Sequence, residues 1–144
     1  MYTVHESSLS PSIYSIIACE IDNLDKAYEL YSRTARLDLD NYNNDTEDGL
    51  HITSMSGAWL SIVQGFAGMK MNNNTLAFNP KLPDKWNSYS FNLNYRNNRI
   101  KIEVNKHGIN IINLDGNNIE INIYDKKYII KNNEYIANKN FAFN

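Results

Sequence analysis

The sequence predicts an α+β chain in which helices come first and a small antiparallel β-sandwich follows. Three observations predict it. Apolar residues recur at helical spacing up to about Met69, and from Tyr89 onward they alternate with polar ones. Dipeptides that favour tight turns separate the alternating runs.

The first helix starts at Ser10-Pro11, because Ser caps unpaired N–H groups and Pro has no N–H to waste. Ile13, Ile16, Ile17 and Ile21 then recur along one side. A second helix begins near Asp22 or Asn23. Ala27, Leu30, Tyr31, Thr34 and Ala35 share its inner face, while Lys26, Glu29, Arg33 and Arg36 face water. The third starts near His51 and carries Met55, Ala58, Trp59, Ile62, Val63 and Phe66. It is apolar or small nearly all round, which predicts a helix surrounded by protein.

From Ile52 to Met69 no residue is charged, a length that raises the question of a membrane span. Thr53, Ser54, Ser56, Ser61 and Gln64 interrupt the run, and Gly57, Gly65 and Gly68 weaken it as a helix. A helix buried in protein is the expectation, with no membrane partner.

Period-two alternation then takes over. Tyr89, Phe91, Leu93 and Tyr95 form one strand, Ile100, Ile102 and Val104 a second, and Ile119, Ile121 and Ile123 another. Asn97-Asn98, His107-Gly108 and Asp115-Gly116 are the hairpin signals between them. Asparagine supplies 24 residues, clustered where turns are expected, since Asn tolerates left-handed backbone. The cluster Asn72 to Asn74 marks the expected boundary, giving residues 1–71 to the helices and 72–144 to the strands.

Charge is nearly balanced, 14 basic residues against 16 acidic, without a basic block. This argues against nucleic acid and against an anionic membrane surface. Cys19 is the single cysteine, so the chain has no intrachain disulfide and no cysteine-rich metal site. Residues Tyr2 to Glu6 offer neither a basic region nor an apolar signal core. A cytoplasmic location is expected.

Two segments carry candidate chemistry. Ser7 and Ser8 precede the first helix, and Gly49-Leu50-His51 opens the third. Helix N-termini present unpaired N–H groups and partial positive charge, so they receive anions. If the two starts lie together, Ser7, Ser8 and His51 add donors for an oxyanion such as phosphate. Helix capping is the ordinary role for such serines. Glu47 and Asp48 are adjacent and cannot flank one glycosidic bond as a catalytic pair; acids ahead of a helix complement its dipole. His5, His51 and His107 share no ligand spacing with Cys19, so no metal site is expected. Trp59 and Trp86 suit a core better than a sugar platform.

The stretch "KAYELYSRTARLDLDNYNNDTEDGLHITSMSGAWLSIVQGFAGM", Lys26 to Met69, closely resembles the end of the catalytic domain of glycoside hydrolase family 65, the maltose, kojibiose, nigerose and trehalose phosphorylases. Upstream, "HESSLSPSIYSIIACEI" is similar to the family's serine-rich segment and next helix. Downstream, "LAFNPKLPDKWNSYSFNLNYRNNRIKIEV" resembles the opening of its C-terminal strand domain. Asn138 to Asn144 resembles nothing in the family's pattern.

The resemblance implies the last helices of a six-fold α/α barrel followed by the C-terminal β domain. It implies that His51, Ser7 and Ser8 are phosphate-binding. It implies no cofactor, with inorganic phosphate as co-substrate and an α-glucosyl disaccharide as the other substrate. The family's general acid is a glutamate earlier in the barrel; no residue here matches its motif or the lysine-containing motif on the phosphate side. The isolated chain is therefore expected to be inactive, with no catalytic residue of its own. Exposed helix faces predict a homo-oligomer through the helical half, with Ile13, Ile17, Met55, Trp59 and Ile62 in the contact. A non-catalytic subunit and a small sugar-binding β-sandwich are the alternative readings.

Overall fold

The computed structural model describes residues 7–131 and, for the backbone alone, 135–138. His5 and residues 139–144 lie outside the described residues. The chain divides into two compact units, 1–66 and 67–144.

The first unit contains α1 (Ser10–Glu20), α2 (Leu24–Ala35) and α3 (Ile52–Leu60), which runs on as a π-helical turn over Ser61–Phe66. Asn23 caps α2, its side chain accepting from the Lys26 N–H, as the sequence leads one to expect. Ser10 does not cap α1. It is the first helical residue, and Leu9 stands in the cap position with no side-chain bond. Ser7 serves one residue group ahead of it: its Oγ accepts from the Leu9 N–H at 3.3 Å.

The buried faces of these helices are small and polar. α1 buries Ser12, Ser15, Ala18 and Cys19, α2 buries Ala27 and Thr34, and α3 buries Ser54 and Gly57. Small side chains let the backbones approach closely, and the hydroxyls are satisfied by backbone carbonyls, some across the gap and some within the same helix. Ser15 donates to the Ala27 carbonyl at 2.8 Å, and Ser61 to the carbonyls of Gly57 and Ser12 at 2.9 and 3.3 Å. Val63 and Phe66 complete the packing, with Phe66 edge-on to Tyr31. Ile16 is half-buried beside Gly65, and the other isoleucines of this stretch point away from the packed face. Ile13, Ile17 and Ile21 are exposed, and so are Ile52, Met55 and Trp59 on α3. Among the described residues no helix is long and apolar enough to cross a membrane.

Among the described residues the second unit contains two four-stranded sheets. One has the order β1 (Lys70–Asn72), β2 (Thr75–Phe78), β6 (Ile119–Ile123), β7 (Lys126–Ile130). The other runs β3 (Ser88–Tyr95), β4 (Asn98–Asn105), β5 (Gly108–Asn113), β8 (Tyr135–Asn138). Every pairing is antiparallel except β2 with β6, which is parallel. Ile100, Ile102, Val104, Ile109 and Ile111 of one sheet share a core with Leu76, Phe78, Ile119, Ile121 and Ile123 of the other.

The turns refine the sequence reading by a residue or more. Between β3 and β4 the turn residues are Arg96 and Asn97, both at positive φ, while Asn98 is already buried strand. Asn73 and Asn74 form the same kind of two-residue turn between β1 and β2, so the expected 71/72 boundary falls inside a hairpin of the second unit. Asp115-Gly116 is not a hairpin turn. It carries the chain from β5 in one sheet to β6 in the other. Asp115 is held there by Arg99, through its backbone N–H at 2.9 Å and its Nε at 2.6 Å.

Candidate functional site

The starts of α1 and α3 lie together. Ser54, in the first turn of α3, donates its hydroxyl to the Ser8 carbonyl at 2.9 Å, across 46 residues of sequence. Neither helix start has a side-chain cap, but several of the first N–H groups have backbone partners: Ser10 donates to the Ser7 carbonyl at 3.3 Å and Ile52 to that of Leu50 at 3.1 Å, while Pro11 has no N–H to offer. Ser7 and Ser8 are half-buried in the segment entering α1. His51 is the residue before α3, and its carbonyl accepts from the N–H of Ser54 at 2.9 Å.

Two carboxylates frame the His51 ring. Asp38 lies in the turn after α2, anchored by buried Leu37 and by the paired bonds from Arg36 to Asp40 at 2.7 and 2.6 Å. Its two oxygens grip His51 twice. Oδ2 accepts from the His51 backbone N–H at 2.9 Å, and Oδ1 lies 2.6 Å from Nδ1. An ionised carboxylate only accepts, so Nδ1 carries a hydrogen. On the other side of the ring, Asp45 Oδ2 stands 3.4 Å from Nε2. Asn41 shapes that loop, its Oδ1 accepting from the N–H and the hydroxyl of Thr46 at 3.2 and 2.9 Å.

A neutral ring would turn an Nε2 lone pair toward the Asp45 carboxylate, which is repulsive. The imidazolium is the form that suits both neighbours. The bond to Asp38 first, and the charges of Asp45 and Asp38 after it, hold the His51 pKa above its ordinary value against a partial desolvation. The same bond holds the Asp38 carboxyl below its usual range. His51 thus adds stability in full below its unfolded-state pKa, and this fades as pH rises through the higher folded-state value. Asp38 adds stability above its own unfolded-state pKa and loses it as pH falls through the lower folded one. The pair is strongest between these limits.

Sequence reasoning placed His51, Ser7 and Ser8 at the two helix starts but missed Asp38 and Ser54. Asp38 is 13 residues from His51, with no spacing to advertise it, and Ser54 looks like one more interruption of an apolar run. The acids ahead of α3 also act differently from the expected dipole complement. Thr46–Asp48 is a separate 3-10 turn, Glu47 and Asp48 are exposed, and the first turn of α3 contains no acid. Gly49 follows at φ +132°, a backbone that L side chains rarely adopt, and leads the chain into His51.

Two profiles of one family match the chain in succession. The glycosyl hydrolase family 65 central catalytic domain matches residues 1–60, and the glycosyl hydrolase family 65 C-terminal domain matches residues 69–130. The chain belongs to glycosyl hydrolase family 65. It is 54% identical to the maltose phosphorylase of Bacillus subtilis over 90% of its own length and 17% of that protein's. It is 46% identical to the α,α-trehalose phosphorylase of Thermoanaerobacter brockii, covering 92% of the chain and 17% of the relative. A solved human-microbiome structure described as a kojibiose phosphorylase superposes with a TM-score of 0.86 at 41% identity, over 93% of this chain and 18% of that one. The family 65 chain thus spans about a sixth of the length of these relatives.

Proposed function

We propose that this family 65 chain supplies one wall of the phosphate site of a cytoplasmic disaccharide phosphorylase. The overall reaction is α-glucosyl disaccharide plus phosphate giving β-glucose 1-phosphate and a sugar. A phosphate oxygen attacks the anomeric carbon from the face opposite the leaving sugar. The glycosidic C–O bond breaks, and a general acid on the far side protonates the departing oxygen. His51, Ser7 and Ser8 hold the phosphate, placing its oxygen for attack and balancing its charge. The general acid has no matching residue in this sequence. The observation that carries the reading is the Ser54–Ser8 bond, which joins the two helix starts on which a shared anion site depends.

The test uses the pure 144-residue chain. Inorganic phosphate is expected to shift the imidazole NMR signals of His51, with a Kd of about 1 mM or weaker, and His51→Ala abolishes the response. The same chain releases no glucose 1-phosphate from maltose, kojibiose, nigerose or trehalose, because general acid catalysis alone contributes ~10²–10⁴-fold. Shifts confined to the β unit, or turnover by the isolated chain, would contradict the assignment.

A homo-oligomer through the helical half is the proposed assembly. The support is the row of exposed apolar side chains, Ile13 and Ile17 on α1 and Met55 and Trp59 on α3, each about half exposed. Ile62 is half-buried and contributes less. Covering a few hundred Å² at ~25 cal/mol per Å² provides several kcal/mol before association costs. Light scattering at micromolar concentration is expected to give at least a dimer, and the double change Met55→Ser, Trp59→Ser to return it to monomer. A monomeric parent chain would sink this proposal.

A further inference from the structure

We infer that Asp38 is the positioning residue of the phosphate site, holding His51 with its Nε2–H turned to the ligand, and that Asp45 is an internal occupant which a phosphate oxygen replaces. The inference rests on the phosphate reading above and deepens it.

Asp38 determines which ring nitrogen is available. By taking both the backbone N–H and Nδ1–H of His51, at 2.9 and 2.6 Å, it fixes the ring's tautomer and limits its rotation. Only Nε2 then remains for a ligand. The side chain of Asp38 is 11% exposed, and that of His51 23%, so the grip is sheltered while the ring edge remains reachable. Asp45 differs in kind. Its side chain is 36% exposed, and 3.4 Å from Nε2 is an ion-pair distance rather than a good hydrogen bond. A carboxylate oxygen and a phosphate oxygen present the same charge and the same acceptor to an imidazolium N–H. Asp45 therefore occupies the position that a phosphate oxygen would take.

The charged groups bearing on the ring come from two places: Asp38 follows α2, and Asp45 precedes the 3-10 turn. The two acids have opposite consequences for a ligand. Removing Asp38 releases the ring; removing Asp45 opens the site and lifts a like-charge repulsion.

Long-range nitrogen–proton NMR of the His51 imidazole in the 144-residue chain separates these roles. The parent ring is expected to remain Nδ1–H when neutral. In Asp38→Ala the titration midpoint falls and the neutral ring turns to the Nε2–H form usual for free histidine. In Asp38→Asn one acceptor oxygen remains for two donors, the backbone N–H and Nδ1–H of His51, so the midpoint falls in this variant too. A purely structural role for Asp38 would leave midpoint and tautomer unmoved in a variant that folds. Should Asp38→Ala fail to fold, the midpoint in Asp38→Asn decides.

Inorganic phosphate added at about pH 6, where the ring is cationic, is expected to bind Asp45→Asn about fivefold more tightly than the parent. An unchanged midpoint and tautomer in the Asp38 variants would overturn Asp38 as positioning residue. Weaker phosphate binding by Asp45→Asn would overturn Asp45 as occupant. Phosphate moving His51 in neither chain would overturn the phosphate reading and the role of Asp45 with it, while the tautomer still judges Asp38 by itself.

Discussion

Ile111→Ala is expected to cost the β unit about 2–5 kcal/mol. Ile111 is fully buried on β5, a central strand with β4 on one side and β8 on the other. It is paired in register with Ile102, itself fully buried, and belongs to the cluster shared by both sheets. Truncation leaves a cavity walled by strands that hydrogen bonds hold in place, so collapse around it is limited. Small domains have roughly 5–15 kcal/mol of stability in total, so the loss removes a large part of it. The two tryptophans allow the measurement to be assigned. Trp86 packs against the β core, whereas Trp59 lies on α3, half exposed in the other unit. In a Trp59→Phe background, urea unfolding followed by Trp86 fluorescence should show the midpoint drop with little change in slope. A loss under 1 kcal/mol would show that the two sheets do not close around Ile111.

That core was legible in the sequence because strict alternation has one physical cause. Ile100, Ile102 and Val104, then Ile119, Ile121 and Ile123, each point to one side of a pleat, and those sides are buried. β2 escaped notice because Leu76, Ala77 and Phe78 are buried in succession and give no alternation to read. The β2–β6 pairing is long-range and parallel, and no turn signal announces such a pairing. In the helices the apolar period marked a face without naming the one that packs inside the unit. Ile13 and Ile17 are exposed, and the face that meets the other helices is the one of Ser12, Ser15 and Ala18, which no apolar period announces. Side-chain size decided this, since close backbone approach needs small residues. The site was half legible for a related reason. A helix start is local and shows in sequence, as His51 did, whereas the partners that orient it are tertiary: Asp38 from the turn after α2 and Ser8 from the entry to α1.

The same close approach makes Gly57 the residue on which the geometry of the site most depends. A Cβ at Gly57 would stand 2.7 Å from Ser12 Oγ and 2.8 Å from Ser12 Cβ, nearer than real Cβ atoms come. Ser12 has little room to yield. It is 5% exposed, and its hydroxyl is bonded to the Leu9 carbonyl at 2.8 Å. Helix propensity alone would favour replacing this glycine, by up to about 1 kcal/mol. Overpacking costs about 1–3 kcal/mol, and for Gly57→Val, with two further methyls to place, the upper end of that range is expected. The separation of α1 from α3 is felt on both sides of the contact. Ser54, one turn earlier, loses the Ser8 carbonyl, and Ser61, one turn later, loses that of Ser12. Gly57→Val should therefore lower the stability of the helical unit, read from Trp59, and also abolish the phosphate response of His51. Gly57→Ala paired with Ser12→Gly supplies the control, because it moves one side-chain carbon across the interface and otherwise removes only the hydroxyl bonded to the Leu9 carbonyl. That pair is expected to recover the response that Gly57→Ala alone weakens. A Gly57→Val chain that binds phosphate as the parent does would show that the two helix starts are not held together at this crossing.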